Sequence, residues 1–141
     1  MSTLQRAIEI AIEAHKGQTD KVGKPYILHL FQVMAKGKGE DEKITALLHD
    51  VVEDTPWTLE KLEAEGFSHK IIQALDCLTK REGESYEEFI ERVKSNPLAI
   101  KVKINDLEDN MDIRRLCELS DNDVNRLNKY IKAYRELVNY N

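Results

Sequence analysis

The segment from Glu42 to Glu53 places the strongest constraint on how this chain folds. Its apolar residues are Ile44, Ala46, Leu47, Leu48, Val51 and Val52. Drawn as a helix, they leave almost no polar face. A helix of this kind is typical of the middle of a helical domain, where neighbours cover it on every side. We therefore predict a central, buried helix over 42–53, with Asp41 as its N-cap.

The remaining punctuation predicts further helices on both sides of this one. Before it, we expect a helix from the Ser2/Gln5 capping box to about His15 and another from Pro25 to Lys36. After it, we expect a short helix from Thr55-Pro56 to Gly66, one carrying Ile71 to Leu78, one opened by the Ser85/Glu88 capping box, one from Asn96-Pro97 to about Leu116, and one from about Asp123.

One of these segments is ambiguous, because Leu98, Ile100, Val102 and Ile104 alternate as they would in a strand. A strand there would have no obvious partner, so we predict a helix. Only 9 of the 141 residues are Gly or Pro, fewer than many-turned β folds need. The expected fold is all-α: a compact single-domain bundle of about eight helices spanning residues 1–141.

Composition excludes several classes of function. With 26 acidic and 21 basic residues the net charge is −5, which argues against nucleic acid and anionic membranes as partners. No apolar stretch approaches the roughly 20 residues of a membrane span, and the start lacks the features of a signal peptide. Cys77 and Cys117 match no metal or disulfide motif and are expected to be reduced core thiols. We expect a cytoplasmic protein.

Four ionisable residues at the end of the central segment carry the chemical signal: His49, Asp50, Glu53 and Asp54. On a helix, His49 and Asp50 can both reach one ion, with the other two a turn further on. Two readings remain open. The helix end may simply reach water, with solvated carboxylates and a hydrogen-bonded His49. Alternatively the four groups bind a cation, which would relieve the unfavourable position of carboxylates at a helix C-terminus.

Two further polar residues lie inside apolar runs, His29 in Tyr26–Phe31 and Asp106 in Val102–Leu107. An isolated histidine on an apolar helix is often a satisfied core residue, and Asp106 has an ion pair with Lys103 as its alternative explanation. Both could equally complete a metal site.

The series His29, His49-Asp50, Asp106 resembles the HD-domain phosphohydrolases. The surrounding motifs narrow this resemblance to the hydrolase domain of RelA/SpoT proteins and small alarmone hydrolases. The motifs are Ala14-His15-Lys16-Gly17-Gln18, Gly23-Lys24-Pro25-Tyr26-Ile27-Leu28-His29, Ala46-Leu47-Leu48-His49-Asp50-Val51-Val52-Glu53-Asp54-Thr55, Leu78-Thr79-Lys80, Val102-Lys103 and Asp106 through Asn110. Together they cover roughly residues 4–116 and are far more specific than any single motif.

The resemblance implies an all-α enzyme of the stringent response that uses a divalent ion, typically manganese, to remove the 3′-pyrophosphate from guanosine tetra- or pentaphosphate. It implies His29, His49, Asp50 and Asp106 as metal ligands. Glu53 and Asp54 match the catalytic carboxylates, Asn110 a ribose contact and Lys21 a basic residue near the substrate. His15 matches a position near the site, where a core or loop-capping hydrogen bond is the alternative.

Three departures concern substrate recognition. The family's Arg-Lys pair is Asp20-Lys21 here, its Pro after the first ligand is Leu30, and a cation after the last ligand is Leu107. The metal and catalytic residues are intact, so a metal-dependent phosphohydrolase is better supported than an alarmone hydrolase. The alternatives are an HD-type phosphatase for another nucleotide or small phosphoester, and a non-catalytic metal- or nucleotide-binding module.

A polyanionic substrate would be held by the metal and by cations such as Lys16, Lys21 and Lys24. Because the chain stops at residue 141, alarmone synthesis is not expected. Homo-oligomerisation is left open, with Trp57, Tyr130, Tyr134 and Tyr140 as core, self-association or pocket residues.

Overall fold

The computed structural model describes residues 2–140, and within them the only β-structure is an isolated bridge between Thr19 and Pro25. The helices are α1 (Leu4–Ala14), α2 (Ile27–Lys36), α3 (Glu40–Leu48), α4 (Val51–Asp54), α5 (Leu59–Ala64), α6 (His69–Leu78), α7 (Tyr86–Val93), α8 (Pro97–Asn110) and α9 (Asp121–Tyr140), with a 3₁₀ turn at Ile113–Arg115. The predicted all-α bundle is confirmed.

Helix α3 lies at the centre of the bundle, as its apolar sequence predicted. It packs against α1, α2, α6 and α8. Leu47 and Leu48 have no exposed surface, and even Thr45 is fully buried. One core cluster lies mainly among α1, α2, α3, α5 and α6, and a second joins α6 to α7, α8 and α9. The C-terminal end of α3 therefore opens into the interior rather than into solvent.

The prediction of one continuous helix over 42–53 is wrong, because the chain forms a turn at His49-Asp50 between α3 and α4. The side chain of His49 explains the break. Its Nδ1 lies 2.6 Å from the carbonyl oxygen of Ala46, the group that would accept the amide of Asp50 in an uninterrupted helix. The histidine thus takes a backbone acceptor and re-aims the residues that follow.

Two predicted N-caps are also shifted. Thr3 rather than Ser2 caps α1, with its hydroxyl accepting the amide of Arg6. Ser and Thr are both good N-caps, and the sequence could not distinguish the two registers. Helix α3 begins after Gly39, whose φ of 83° suits glycine, so Asp41 lies in the first turn and is not the cap.

The ambiguous segment after Asn96-Pro97 is helical, as predicted, but α8 ends at Asn110 instead of continuing to about Leu116. Asp112 accepts the amide of Arg114 and so starts the short 3₁₀ turn that replaces the helix.

The two cysteines differ in their surroundings. Cys77 is half-buried against the core, whereas Cys117 is exposed beyond the 3₁₀ turn, so the expectation of two core thiols is wrong for Cys117. Both are free thiols. Across residues 2–140, the helices are too short or too polar to cross a membrane.

Arg92 on α7 ties together the segment between α6 and α7. Its guanidinium donates to both carboxylate oxygens of Glu84, at 2.6 and 2.9 Å, and to the carbonyl oxygens of Asp76 and Thr79. A bidentate pair of this kind fixes geometry as well as charge. It holds the loop that enters α7, whose residues line the cavity described below.

We expect the Arg92–Glu84 pair to make stability depend on pH. Arg92 holds the pKa of Glu84 at about 2, below the ordinary value of 4.5. Its stabilisation is therefore complete above the ordinary pKa and is lost as the pH falls towards the folded-state pKa. In Glu84→Gln, Tm measured by circular dichroism should lie below that of the wild type at neutral pH, and the difference should narrow from about pH 5 to about pH 3.

Glu82→Gln is the matched control, because Glu82 is exposed in the same loop. Its Tm should follow the wild type at every pH. A Tm difference for Glu84→Gln that stays constant as the pH falls would contradict the role given to the pair.

Candidate metal centre and active site

The four predicted ligands come together in the interior. Helix α2 supplies His29, the turn after α3 supplies His49 and Asp50, and α8 supplies Asp106. Asp106 Oδ1 lies 2.9 Å from His29 Nε2 and 3.1 Å from His49 Nε2, while Asp50 Oδ2 lies 3.2 Å from His49 Nε2. The donor atoms of His29, His49 and Asp50 also lie within 4.8 Å of one another.

Each histidine is oriented by a hydrogen bond on its other nitrogen. His49 Nδ1 faces the Ala46 carbonyl oxygen, which accepts only from a protonated nitrogen. His29 Nδ1 lies 2.6 Å from Asp109 Oδ2, and both residues are buried. Since Nδ1 holds the proton in each ring, the neutral imidazoles direct the lone pair of Nε2 towards the shared centre.

Asp109 is a site residue that the sequence analysis did not single out. It lies three residues after Asp106 on α8, so both carboxylates face α2 and contact opposite nitrogens of His29. The i, i+3 spacing of two acids on a buried helix was the signal that could have identified it.

The two ligand carboxylates also have partners of their own. The Tyr26 hydroxyl donates a short hydrogen bond to Asp50. Lys103 Nζ lies 2.9 Å from Asp106 Oδ2, and Asn110 donates to Asp106 Oδ1 at 3.2 Å. The ion pair proposed as an alternative explanation for Asp106 therefore exists, but it uses the oxygen that faces away from the histidines.

The charges of this cluster shift one another's pKa values. Burial lowers the pKa of His29, but hydrogen bonds to Asp106 and Asp109 outweigh burial and raise it to about 9. Burial also lowers the pKa of His49, and the neighbouring Asp50 and Asp106 raise it well above its usual value. For Asp50, burial acts upward and the His49 charge downward, giving a pKa of about 2. Without a metal, protons hold the cluster together.

The donor set fits a divalent metal. Two imidazole nitrogens and two carboxylates form the mixed nitrogen and oxygen site that first-row ions such as Mn²⁺ accept, and sulfur is absent from it. Each ligand also has the oriented partner that is typical of metal sites.

Glu53 and Asp54 lie next to this cluster on α4. Their carboxylate oxygens and those of Asp50 lie within 4.8 Å of one another. Glu53 Oε1 accepts the backbone amide of Lys80 at 2.8 Å, which fixes its direction. Burial and the nearby charges of Asp50 and Glu53 raise the pKa of Asp54, so this carboxyl can hold a proton more readily than a solvated one.

A cavity of about 760 Å³ opens onto the cluster. Its charged lining residues are Asp20, Asp50, Glu53, Asp54, Glu84, Asp106, Asp112 and Asp123, together with Lys21, Lys80, Lys103, Arg115, Arg126 and Lys129. Tyr130 also lines it, whereas Trp57 packs into the core. Of the predicted substrate cations, Lys21 lines this cavity and Lys24 lines a smaller one of about 360 Å³. Lys16 lines neither.

The loop between α1 and α2 gives Asp20 a structural role. Its Oδ1 accepts the amides of Val22 and Lys24, each at 2.9 Å, so the acid that replaces a family cation closes the loop on itself. Lys21 reaches across to Asp123 at the start of α9, at 2.8 Å. His15 is buried and bonds Gln18 within this loop, in agreement with its loop-capping alternative.

Comparisons with known proteins agree with this architecture, although no family model matches the chain. The chain is 34% identical over 120 residues to a guanosine-3′,5′-bis(diphosphate) 3′-pyrophosphohydrolase of Aquifex aeolicus, covering 77% of this chain and 17% of the relative. It is 31% identical over 123 residues to the bifunctional (p)ppGpp synthase/hydrolase SpoT of Escherichia coli, covering 77% and 17%. The chain thus spans about a sixth of these relatives.

A solved structure of a metazoan SpoT ortholog, described as hydrolysing ppGpp, shares the fold. It superposes with a TM-score of 0.78 at 22% identity, over 97% of this chain and 85% of the other. In sequence and in fold, the chain is therefore similar to HD-domain ppGpp hydrolases of the RelA/SpoT type, and the resemblance predicted from its motifs is confirmed.

Proposed function

We propose that this chain is a metal-dependent phosphohydrolase that removes the 3′-pyrophosphate from guanosine 3′,5′-bis(diphosphate) or a closely related nucleotide. One observation carries the proposal: two histidines and two carboxylates converge in a buried cluster, with a further pair of carboxylates beside them at the floor of a cavity. The names of the relatives supply the substrate class.

In this proposal His29, His49, Asp50 and Asp106 hold the ion, which is Mn²⁺ by resemblance to the family. A divalent ion in such a site supplies Lewis acidity towards a phosphate group. The protein supplies the orientation. The Ala46 carbonyl and Asp109 hold the two imidazoles, so that little reorganisation is needed on binding.

Glu53 and Asp54 have the proton-transfer roles. Glu53, held by the Lys80 amide, accepts the proton of the attacking water. Asp54, whose pKa is raised, gives a proton to the leaving pyrophosphate oxygen. Their proximity makes one carboxyl easier to protonate while the other is ionised, which separates the base from the acid.

Lys21 and Asn110 are the proposed substrate contacts. Both line the cavity, although in the described structure Lys21 pairs with Asp123 and Asn110 bonds Asp106. A substrate phosphate would compete with Asp123 for Lys21. We further propose a cytoplasmic protein whose substrate is a small molecule rather than nucleic acid, with homo-oligomerisation open.

A second candidate is a phosphatase for another nucleotide or phosphoester. Asp20 lines the cavity where the family carries a cation, and Leu107 is buried in the core instead of offering another. Both changes favour a substrate recognised through other contacts.

Replacing Glu53 with Gln tests the catalytic assignment. Pyrophosphate release from the nucleotide, with Mn²⁺ present, should fall by about a hundredfold or more, because glutamine cannot accept the proton of water. Mn²⁺ affinity measured by isothermal titration calorimetry should be retained. Asp50→Ala should abolish both activity and tight Mn²⁺ binding.

Glu60→Gln, an exposed change on α5, should alter neither property. Turnover of other nucleotides only would favour the second candidate. Mn²⁺ binding without turnover of any nucleotide would contradict the enzymatic proposal and leave a non-catalytic module.

Metal binding should release protons. In the metal-free protein the pKa of His29 is about 9 and that of His49 is also raised, so both imidazoles are protonated at neutral pH. Mn²⁺ must displace these protons, and its affinity should rise from about pH 6 to about pH 9. Calorimetry in buffers with different ionisation enthalpies measures the release directly.

His69→Gln on the exposed start of α6 is the control and should release as many protons as the wild type, whereas His29→Gln should release fewer. An affinity that does not change with pH would contradict the assignment of both histidines.

Asp109→Asn tests the orientation of His29. Removing the charge behind a metal-binding imidazole should weaken Mn²⁺ binding by about tenfold or more. Glu108→Gln is the matched control, because the neighbouring Glu108 faces Lys36 and Tyr134. Equal Mn²⁺ affinities for Asp109→Asn and the wild type would show that Asp109 does not act through His29.

A further inference from the structure

Helices α7 and α9 bring an ammonium group and two aromatic rings together in the cavity lining. Lys129 Nζ lies 4.5 Å from the ring centroid of Tyr86 and 5.5 Å from that of Tyr130. The two rings are 6.4 Å apart and inclined at 49°. Cation–π contacts on two faces hold the ammonium in place more firmly than a freely solvated lysine.

Cations accumulate around this group. In the part of the chain that the structure describes, Lys129 and Lys80 make no ion pair, whereas Arg126 and Lys21 both contact Asp123. Partial burial lowers the pKa of Lys129, and Arg126, Lys103 and Lys80 lower it further. Charges of the same sign that lower one another's pKa in a cavity favour the binding of an anion.

The hydroxyl of Tyr86 is a separate observation at the same place. Its oxygen is buried and has no hydrogen-bond partner among residues 2–140. An unsatisfied buried hydroxyl costs about 1–3 kcal/mol. Burial raises the pKa of Tyr86 to about 12, so the group remains a donor at neutral pH. It therefore offers an O–H to an acceptor that enters the cavity.

The position of these groups differs from that of the metal ligands. His49 and Asp106 are buried at the floor of the cavity, whereas Lys80 and Lys129 are exposed at its mouth. A phosphate at the floor would lie beside several carboxylates and would depend on the metal. A second anionic group of the same molecule, nearer the mouth, would meet cations and a free hydroxyl.

We propose that Lys80, Lys129 and the Tyr86 hydroxyl form a second anion subsite, which holds a phosphate group of the nucleotide other than the one attacked at the metal. The proposal rests on the proposed function for the metal end only. The substrate class it names is a nucleotide phosphorylated at two separate positions. Cations from α7–α9 and from the loop before α7 thus take the place of those lost at Asp20 and Leu107.

The first test needs no turnover. The full chain is treated with EDTA and titrated with inorganic pyrophosphate in a calorimeter, so that the metal end contributes no affinity. Lys129→Met and Tyr86→Phe should each weaken pyrophosphate binding, by about tenfold for the lysine. Lys132→Met, an exposed lysine one turn from the cavity on the same helix, should bind as the wild type does. Circular dichroism confirms that each variant is folded.

The second test assigns the subsite to a nucleotide. With Mn²⁺ present, Lys129→Met should raise KM for guanosine 3′,5′-bis(diphosphate) by about tenfold and leave kcat nearly unchanged. For guanosine 3′-diphosphate, which has no 5′ phosphate, KM should be the same in the variant and the wild type.

The outcomes separate the two proposals. Weaker pyrophosphate binding in the first test supports the subsite even if no nucleotide is hydrolysed, which would contradict only the proposed function. The subsite is refuted if the wild type does not bind pyrophosphate, if Lys132→Met weakens binding as much as Lys129→Met, or if KM rises equally for both nucleotides.

Discussion

Two imidazole rings and two carboxylates lie in the interior of this protein, and the energetics of their burial shapes the structure around them. Isolated charges in an apolar core are very unfavourable, whereas a hydrogen-bonded set of opposite charges is tolerated. Asp106 bridges His29 and His49, and Lys103 balances its second oxygen. The same geometry can exchange protons for one divalent ion, because the Nε2 atoms and carboxylate oxygens already face a common point.

The backbone break after Leu48 follows from this arrangement. A continuous helix would use the Ala46 carbonyl for the amide of Asp50 and would leave His49 Nδ1 without an acceptor. In the structure His49 takes that carbonyl, so the ring is oriented and the chain turns before α4. The turn keeps Asp50 at the metal cluster and lets Glu53 and Asp54 lie beside it. A local loss of helical hydrogen bonding thus contributes to the geometry of the site.

Sequence patterns could predict the ligands because these residues are polar in strongly apolar surroundings. His29 and Asp106 occur in runs that otherwise pack into the core, and such exceptions have few explanations. The break at His49 could not be predicted, since it depends on which of two donors reaches one carbonyl. Asp109 was missed for a related reason. Its role depends on the distance between α2 and α8, and helical spacing places it on the right face without naming its partner.

The cations of the cavity were also beyond the sequence. Lys16 and Lys24 are near the motifs, but Lys129 reaches the site only because α9 packs along α8. This packing changes the meaning of the net charge of −5. The acids at the floor repel a phosphate unless a metal is present, while the lysines at the mouth attract it in either state. Binding of a doubly phosphorylated molecule therefore requires both ends at once, and a molecule with a single phosphate can satisfy only one of them. The separation of charge along the cavity, rather than the total charge of the chain, thus selects its ligand.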